Sequence, residues 1–255
     1  MKQFLLPLLL LLFQAIAAQQ KPTEAHTVIE ALAQKTKMAE TSLVKNIPLK
    51  NIGPSVMSGR VVDLDVNPND PTEFYVAYAS GGLWHTHTNG ISFTPVMDNS
   101  NTQNIGDIAV DWNNGTIWVG TGENNNQRSV AYGDGVYKSE DGGKSFKNMG
   151  LKASEHIGNI VVHPTNQNIV YVAAYGPLWS EGGERGLYKT VDGGENWERI
   201  LHISKNTGIN EVHMDPRDPN VLYATAHQRR RHVWTYIDGG PETSIHKSID
   251  GGKTW

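Results

Sequence analysis

From residue 55 onward, apolar residues come in short runs rich in Val, Ile, Tyr and Trp. Pro, Asn, Asp and Gly fill the gaps between them. This pattern predicts short β-strands joined by tight turns. In one stretch the expected strands are 157–163, 169–175, 186–191 and 196–201. Two earlier regions read differently. Lys2 precedes an apolar run from Phe4 to Phe13, and the small residues Ala15, Ala17 and Ala18 follow it. A basic start, an apolar stretch and an A-x-A exit predict a signal peptide over residues 1–18 and an exported chain (periplasm, outer surface or secreted). The run falls short of the ~20 apolar residues that a membrane span needs. Residues 19–50 form a lead-in. Val28, Ile29 and Leu32 lie at helical spacing, with Thr23 as the expected N-cap, and Pro48, Gly53 and Pro54 end the helix.

The body, 51–255, is repetitive. Ser139-Glu-Asp141-Gly-Gly143-Lys-Ser145-Phe146, Thr190-Val-Asp192-Gly-Gly194-Glu-Asn196-Trp197 and Ser248-Ile-Asp250-Gly-Gly252-Lys-Thr254-Trp255 share the pattern [ST]-x-D-G-G-x-x-aromatic. A degenerate copy, Thr86-His-Thr88-Asn89-Gly90-Ile-Ser92-Phe93, precedes them. A second motif keeps phase with the first. Val162-His-Pro164 leads to Val170-Tyr-Val-Ala173, and equivalents begin at Val66, Val110 and Met214. Four-stranded units recurring every ~50 residues predict an all-β fold, a propeller with about four visible blades. The last copy stops at Trp255, inside its motif, which reads as the N-terminal part of a larger propeller. In the alternative, a closed four-blade ring, residues 42–52 supply the missing strand.

The D-G-G turn has a physical rationale. Glycine takes the positive φ that a tight turn demands. The Asp side chain accepts hydrogen bonds from its own turn, and the aromatic residue opens the last strand and packs between blades. Asp141, Gly143, Asp192, Gly194, Trp197, Asp250, Gly252 and Trp255 are therefore read as structural.

Composition narrows the chemistry. The chain has no Cys, which removes disulfides, thiolate metal sites and a cysteine nucleophile. A net charge of −4 without long runs of like charge argues against nucleic-acid binding. H-E-x-x-H and phosphate-loop motifs are absent. His85 and His87 share one strand face and could ligate a metal. Asp63 and Asp65 share another, as a half-buried pair or a Ca²⁺ contact. Neither pair makes a full ligand motif, so no metal or cofactor is expected.

The repeated segments resemble the Asp-box, or BNR, repeat of sialidases, xyloglucan-degrading enzymes and sortilin-type ectodomains. The stretch from Asn51-Ile-Gly-Pro54 to Ser58-Gly-Arg60, with Gly81-Gly-Leu-Trp84, is most similar to bacterial exported sortilin-like proteins, often labelled glycosyl hydrolases. The resemblance implies a propeller and is poorly specific for function, because the box only closes a turn. It also carries departures. Xyloglucanases place an Asp before a Gly-Gly-aromatic stretch, whereas Tyr78-Ala-Ser80-Gly-Gly-Leu-Trp84 has no acid. The Arg-Ile-Pro of sialidases is missing as well.

In a propeller the loops joining strands two and three lie opposite the Asp boxes, where loop variation creates sites. Here the first is nearly absent, at Ser80-Gly81. The second, 123–134, carries Glu123, Arg128, Tyr132 and Asp134. The third, 177–185, carries Trp179, Glu181 and Arg185. The fourth, 228–243, carries Arg229, Arg230, Arg231, Trp234, Tyr236 and Asp238. Arg60 opens the first inner strand and could point into the channel. Aromatic faces and Arg forks suit sugars, carboxylates or acidic peptides. The three consecutive arginines cannot all meet one ligand, because alternate strand residues face opposite ways; one or two are expected to pair with Glu181 or Asp238. Three functions are consistent with this arrangement: a recognition platform for a peptide or carbohydrate, a glycoside hydrolase using a loop carboxylate pair, or a cell-surface docking scaffold.

Overall fold

The computed structural model describes residues 25–48, 59–125 and 130–255. The expected signal peptide, Thr23 and Arg128 lie outside the described residues. Helix α1 (Ala25–Thr41) forms the lead-in. Residues 43–46 then form a turn, and 49–52, the rest of the segment that the closed-ring alternative needs, lie outside the described residues. Among the described residues no helix is long and apolar enough to cross a membrane.

Four antiparallel four-stranded sheets follow. Blade one holds β1 (Val61–Val66), β2 (Phe74–Tyr78), β3 (Gly82–Thr86) and β4 (Thr94–Pro95). Blade two holds β5 (Ile105–Asp111), β6 (Thr116–Thr121), β7 (Val136–Ser139) and β8 (Lys147–Asn148). Blade three holds β9 (Ile157–Val162), β10 (Val170–Ala174), β11 (Gly186–Thr190) and β12 (Glu198–Leu201), within two residues of expectation at each end. Blade four is built differently. In it β13 (Thr207–Asp215), β14 (Asp218–Arg231) and β16 (Ser244–Ser248) pair in order, and β15 (Tyr236–Asp238) pairs with the far end of β14 at Arg229–Arg231. The segment 228–243, read from sequence as a loop, is therefore largely a β-hairpin. The β-branched and aromatic residues near its tip hold it extended.

The core lies between blades. Tyr75, Ala77, Ile105, Ile117 and Val119 cluster between blades one and two. Trp118, Val136, Ile157, Val170 and Val172 fill the next gap, and Tyr171, Ala173, Ile209, Leu222 and Ala224 the one after. Alternation explains the continuous apolar runs: in β10, Val170 and Val172 face one neighbour while Tyr171 and Ala173 face the other.

The innermost strands are also stitched by polar side chains. Asp63 Oδ2 accepts from the Ile108 N–H at 3.0 Å, Asp107 Oδ2 from Ile160 N–H at 2.7 Å, and Asn159 Oδ1 from Val212 N–H at 3.2 Å. Asp63, Asp107 and Asn159 each sit at a register shift of the inner strand, where the bulge turns the side chain toward the following blade. Asp65 adds bonds from Val110 N–H at 2.8 Å and Trp112 Nε1 at 2.6 Å. The Asp63 and Asp65 pair is thus a tie between blades one and two.

The Asp boxes close as their chemistry suggests. Asp192 Oδ1 accepts from Asn196 N–H at 2.9 Å and Thr190 Oγ1 at 2.7 Å, while Thr190 Oγ1 accepts from Gly194 N–H at 3.0 Å. Asp141 and Asp250 repeat this with Ser145 and Thr254. In the degenerate box the Thr88 hydroxyl replaces the carboxylate and accepts from Ser92 N–H at 2.9 Å. The box is also an interblade dock. Lys138 and Lys189 of the preceding blades donate to the Gly193 and Gly251 carbonyls, and Tyr171 also donates to Gly251. Trp197 donates to the Met149 carbonyl at 2.8 Å and meets Trp118 edge-on. Trp255 packs against the cluster between blades three and four.

Candidate functional site

On the face opposite the boxes, the loops of blades two, three and four are bound to one another. Asn124 donates from Nδ2 to the carbonyls of Gly106 (3.1 Å) and Gly158 (3.0 Å), bridging the bulges of β5 and β9. Its own carbonyl accepts from Arg229 Nη1 at 3.0 Å, joining the second loop to the blade-four hairpin. The Arg229 guanidinium lies 3.6 Å above the Tyr175 ring, and Arg229 is 2% exposed. The Arg231 N–H donates to the Leu178 carbonyl, tying the hairpin to the third loop.

The candidate residues divide by exposure. Arg60, half exposed, pairs with the buried Glu123. Tyr132 (56% exposed), Trp179 (45%) and Trp234 (71%) present their rings to solvent, and His232 stacks on Trp234. Tyr236 is half-buried beneath the Arg231 cation. Arg230 is half-buried and feels the charge of Glu181, which itself pairs with Lys205 Nζ at 2.8 Å. Arg185 is different: it is buried, and its guanidinium donates to the carbonyls of Tyr175, Pro177, Ser180 and Gly182. That makes it the strut of the third loop rather than a ligand contact. Burial, with the Arg229 and Arg230 charges second, brings its pKa down to about 10. Each loop carboxylate has a partner: Glu123 has Arg60, Glu181 has Lys205, Asp134 accepts from the Tyr137 hydroxyl at 2.7 Å, and Asp238 meets His227.

Sequence reasoning missed the group behind this surface. The Tyr175 hydroxyl bonds His227 Nδ1, and His227 Nε2 lies 3.0 Å from Asp238 Oδ1. A phenol, an imidazole and a carboxylate in series can pass a proton. Burial raises the phenol well above its ordinary pKa and lowers the imidazole, so both neutral forms are favoured at pH 7. Near them His156 is buried and held neutral, first by burial and then by Arg229 and Arg185. No local motif announces this grouping, because it joins residues from blades three and four.

On the opposite face, a groove of about 350 Å³ adjoins the second Asp box, lined by Lys138, Glu140, Asp141, Phe146, Lys147 and Glu195. Its charges are already paired, Lys138 with Glu140 at 2.5 Å and Lys147 with Glu195 at 3.0 Å.

Comparison with known proteins agrees with this architecture. The family model described as Sortilin, neurotensin receptor 3 (Sortilin-Vps10) matches residues 134–255. No curated protein matches the sequence. Among solved structures, the GH74 enzyme of Niastella koreensis is 23% identical with a TM-score of 0.56, over 75% of this chain and 28% of its own. An ancestral GH74 enzyme is 22% identical with a TM-score of 0.55, over 74% and 24%. The GH74 xyloglucanase of Xanthomonas campestris is 21% identical with a TM-score of 0.53, over 75% and 29%. The chain spans about a quarter of the length of those structures, and at such identity they carry the fold alone. By repeat, turn chemistry and sheet order, the chain is an Asp-box β-propeller that resembles the sortilin-like proteins.

Proposed function

We propose that the protein is a recognition platform that binds a peptide or glycan on the face opposite the Asp boxes, outside the cytoplasm where the predicted leader would send it. One observation carries the reading. The loops of that face are fixed to each other through Arg229 and Asn124, while Tyr132, Trp179 and Trp234 stay exposed. Large aromatics held on a rigid base bind without a large ordering cost. The half-exposed Arg60 and the half-buried Arg230 favour an acidic ligand. The test is a glycan and peptide array probed with the full chain, repeated with Trp179→Ala and Trp234→Ala. The reading fails if hits are absent or survive both substitutions.

A glycoside hydrolase is the second reading, and the Tyr175–His227–Asp238 series favours it. A tyrosine nucleophile beside arginines is known chemistry for sialidases. Against it stand the burial of Tyr175 at 4% exposed and the raised phenol pKa. Reducing-sugar release that Tyr175→Phe abolishes would replace the binding reading with this one.

A further inference from the structure

We propose that Glu73, His85 and His87 form a binding site for a divalent transition metal, Zn²⁺ foremost, on the Asp-box side of blade one. The antiparallel register builds it. Phe74 pairs with Thr86 and Tyr75 with His85, so period-2 alternation sets Glu73, His85 and His87 on one face of the β2–β3 ladder. Glu73 Oε1 lies 3.1 Å from His85 Nε2 and 3.1 Å from His87 Nδ1, and all three ligand atoms fall within 4.8 Å of one another. Tetrahedral ligands at about 2.0 Å from Zn²⁺ sit roughly 3.3 Å apart, so little movement is needed to admit an ion. Two imidazoles and one carboxylate are the donor set that Zn²⁺ and its neighbours take from proteins without thiolates.

The surroundings hold the ligands as an outer shell would. Asn67 Nδ2 donates to Glu73 Oε2 at 2.8 Å, leaving Oε1 to face the imidazoles. The His85 ring stacks on Tyr75 at 4.0 Å with an interplanar angle of 6°. His87 is exposed, so solvent or a ligand can fill the remaining coordination position.

This trio is confined to blade one. The position of His85 is taken by Lys138, Lys189 and Lys247 in the other blades, where each ammonium lies over the aromatic that corresponds to Tyr75. The position of His87 is Glu140, Val191 or Ile249, and that of Glu73 is Thr116, Ile169 or Val221. The first box is also the one whose Asp is replaced, by Thr88. Blade one thus departs from the repeat at every position that a metal would use.

The test is calorimetric titration of the untagged full chain with ZnCl₂, together with Co²⁺ absorption spectra. One equivalent should bind, and Co²⁺ should give visible bands of a nitrogen- and oxygen-ligated ion. His87→Ala, at an exposed position, should weaken binding at least tenfold and leave the metal-free Tm unchanged. Glu73→Gln should weaken it similarly. Absence of binding up to millimolar Zn²⁺, or binding that neither substitution weakens, would overturn the proposal and leave the trio as a hydrogen-bonded His–Glu–His contact.

Discussion

The two glycines of the third Asp box allow a sharp test of the claim that the box docks on the preceding blade. Gly193 has φ +72° and Gly194 has φ +97°. A Cβ on Gly193 would meet only Asn168 Oδ1 at 3.3 Å and Lys138 Nζ at 3.5 Å, the ends of flexible side chains. A Cβ on Gly194 would lie 2.8 Å from Trp118 Cη2, 3.1 Å from Cζ3 and 3.2 Å from Met149 Cε. Trp118 is 1% exposed and is held by Trp197 on its edge and Lys138 over its face, so it cannot step aside. Gly193→Ala therefore incurs the left-handed backbone cost of about 1–2 kcal/mol, offset in part by ~0.4–1 kcal/mol from a stiffer unfolded chain. Gly194→Ala lies outside the left-handed well and adds overpacking of about 1–3 kcal/mol. Net losses are about 1 and about 3 kcal/mol. At ~2–4 °C per kcal/mol for a chain of this size, the Tm falls by roughly 2–4 °C for Gly193→Ala and roughly 6–12 °C for Gly194→Ala. Circular dichroism melts of the full chain would read this. Equal shifts would refute the docking of the box on Trp118.

The remaining predictions concern charge and loop anchoring. The Asp141, Asp192 and Asp250 carboxyls are brought down to about 2, chiefly by side-chain hydrogen bonds from Ser145, Asn196 and Thr254. Because the folded pKa is depressed, the contribution of the boxes is complete above about pH 4 and is lost as pH falls toward 2. Urea denaturation at stepped pH should show that drop, and Asp192→Ala should make it shallower. Arg229→Ala removes a desolvated cation–π contact and a charged hydrogen bond, together about 2–4 kcal/mol. Limited proteolysis within 123–134 should accelerate in that variant, whereas Arg231→Ala should leave the loop protected.

Much of the fold was legible because each blade repeats its own local chemistry. The D-G-G turns, the Pro-containing hairpins and the two-sided apolar strands are short-range signals, and even Thr88 does the work of the missing Asp. What stayed hidden depends on contacts that no local motif encodes, many of them between blades. Asp63 was visible as half of a face-sharing pair, but its bond to Ile108 depends on a bulge and on the next blade. Arg185 and Arg229 look like surface arginines in a variable loop, yet one is saturated by carbonyls and the other lies on Tyr175. Tyr175 and His227 read as ordinary strand residues until blades three and four are placed side by side. Glu73 escaped notice beside His85 and His87 because it belongs to the neighbouring strand.

The central claim is that the rigid loop face, not the box face, meets the ligand. Titration of the strongest array hit against wild type and the Trp179→Ala/Trp234→Ala double variant tests it most directly. Both rings are exposed, so the Tm should hold within a degree or two. Affinity should drop at least tenfold, since an aromatic anchor contributes about 1–2 kcal/mol or more. Unchanged affinity in the double variant, with loss instead on substituting Lys147 and Glu195 beside the second box, would contradict the account.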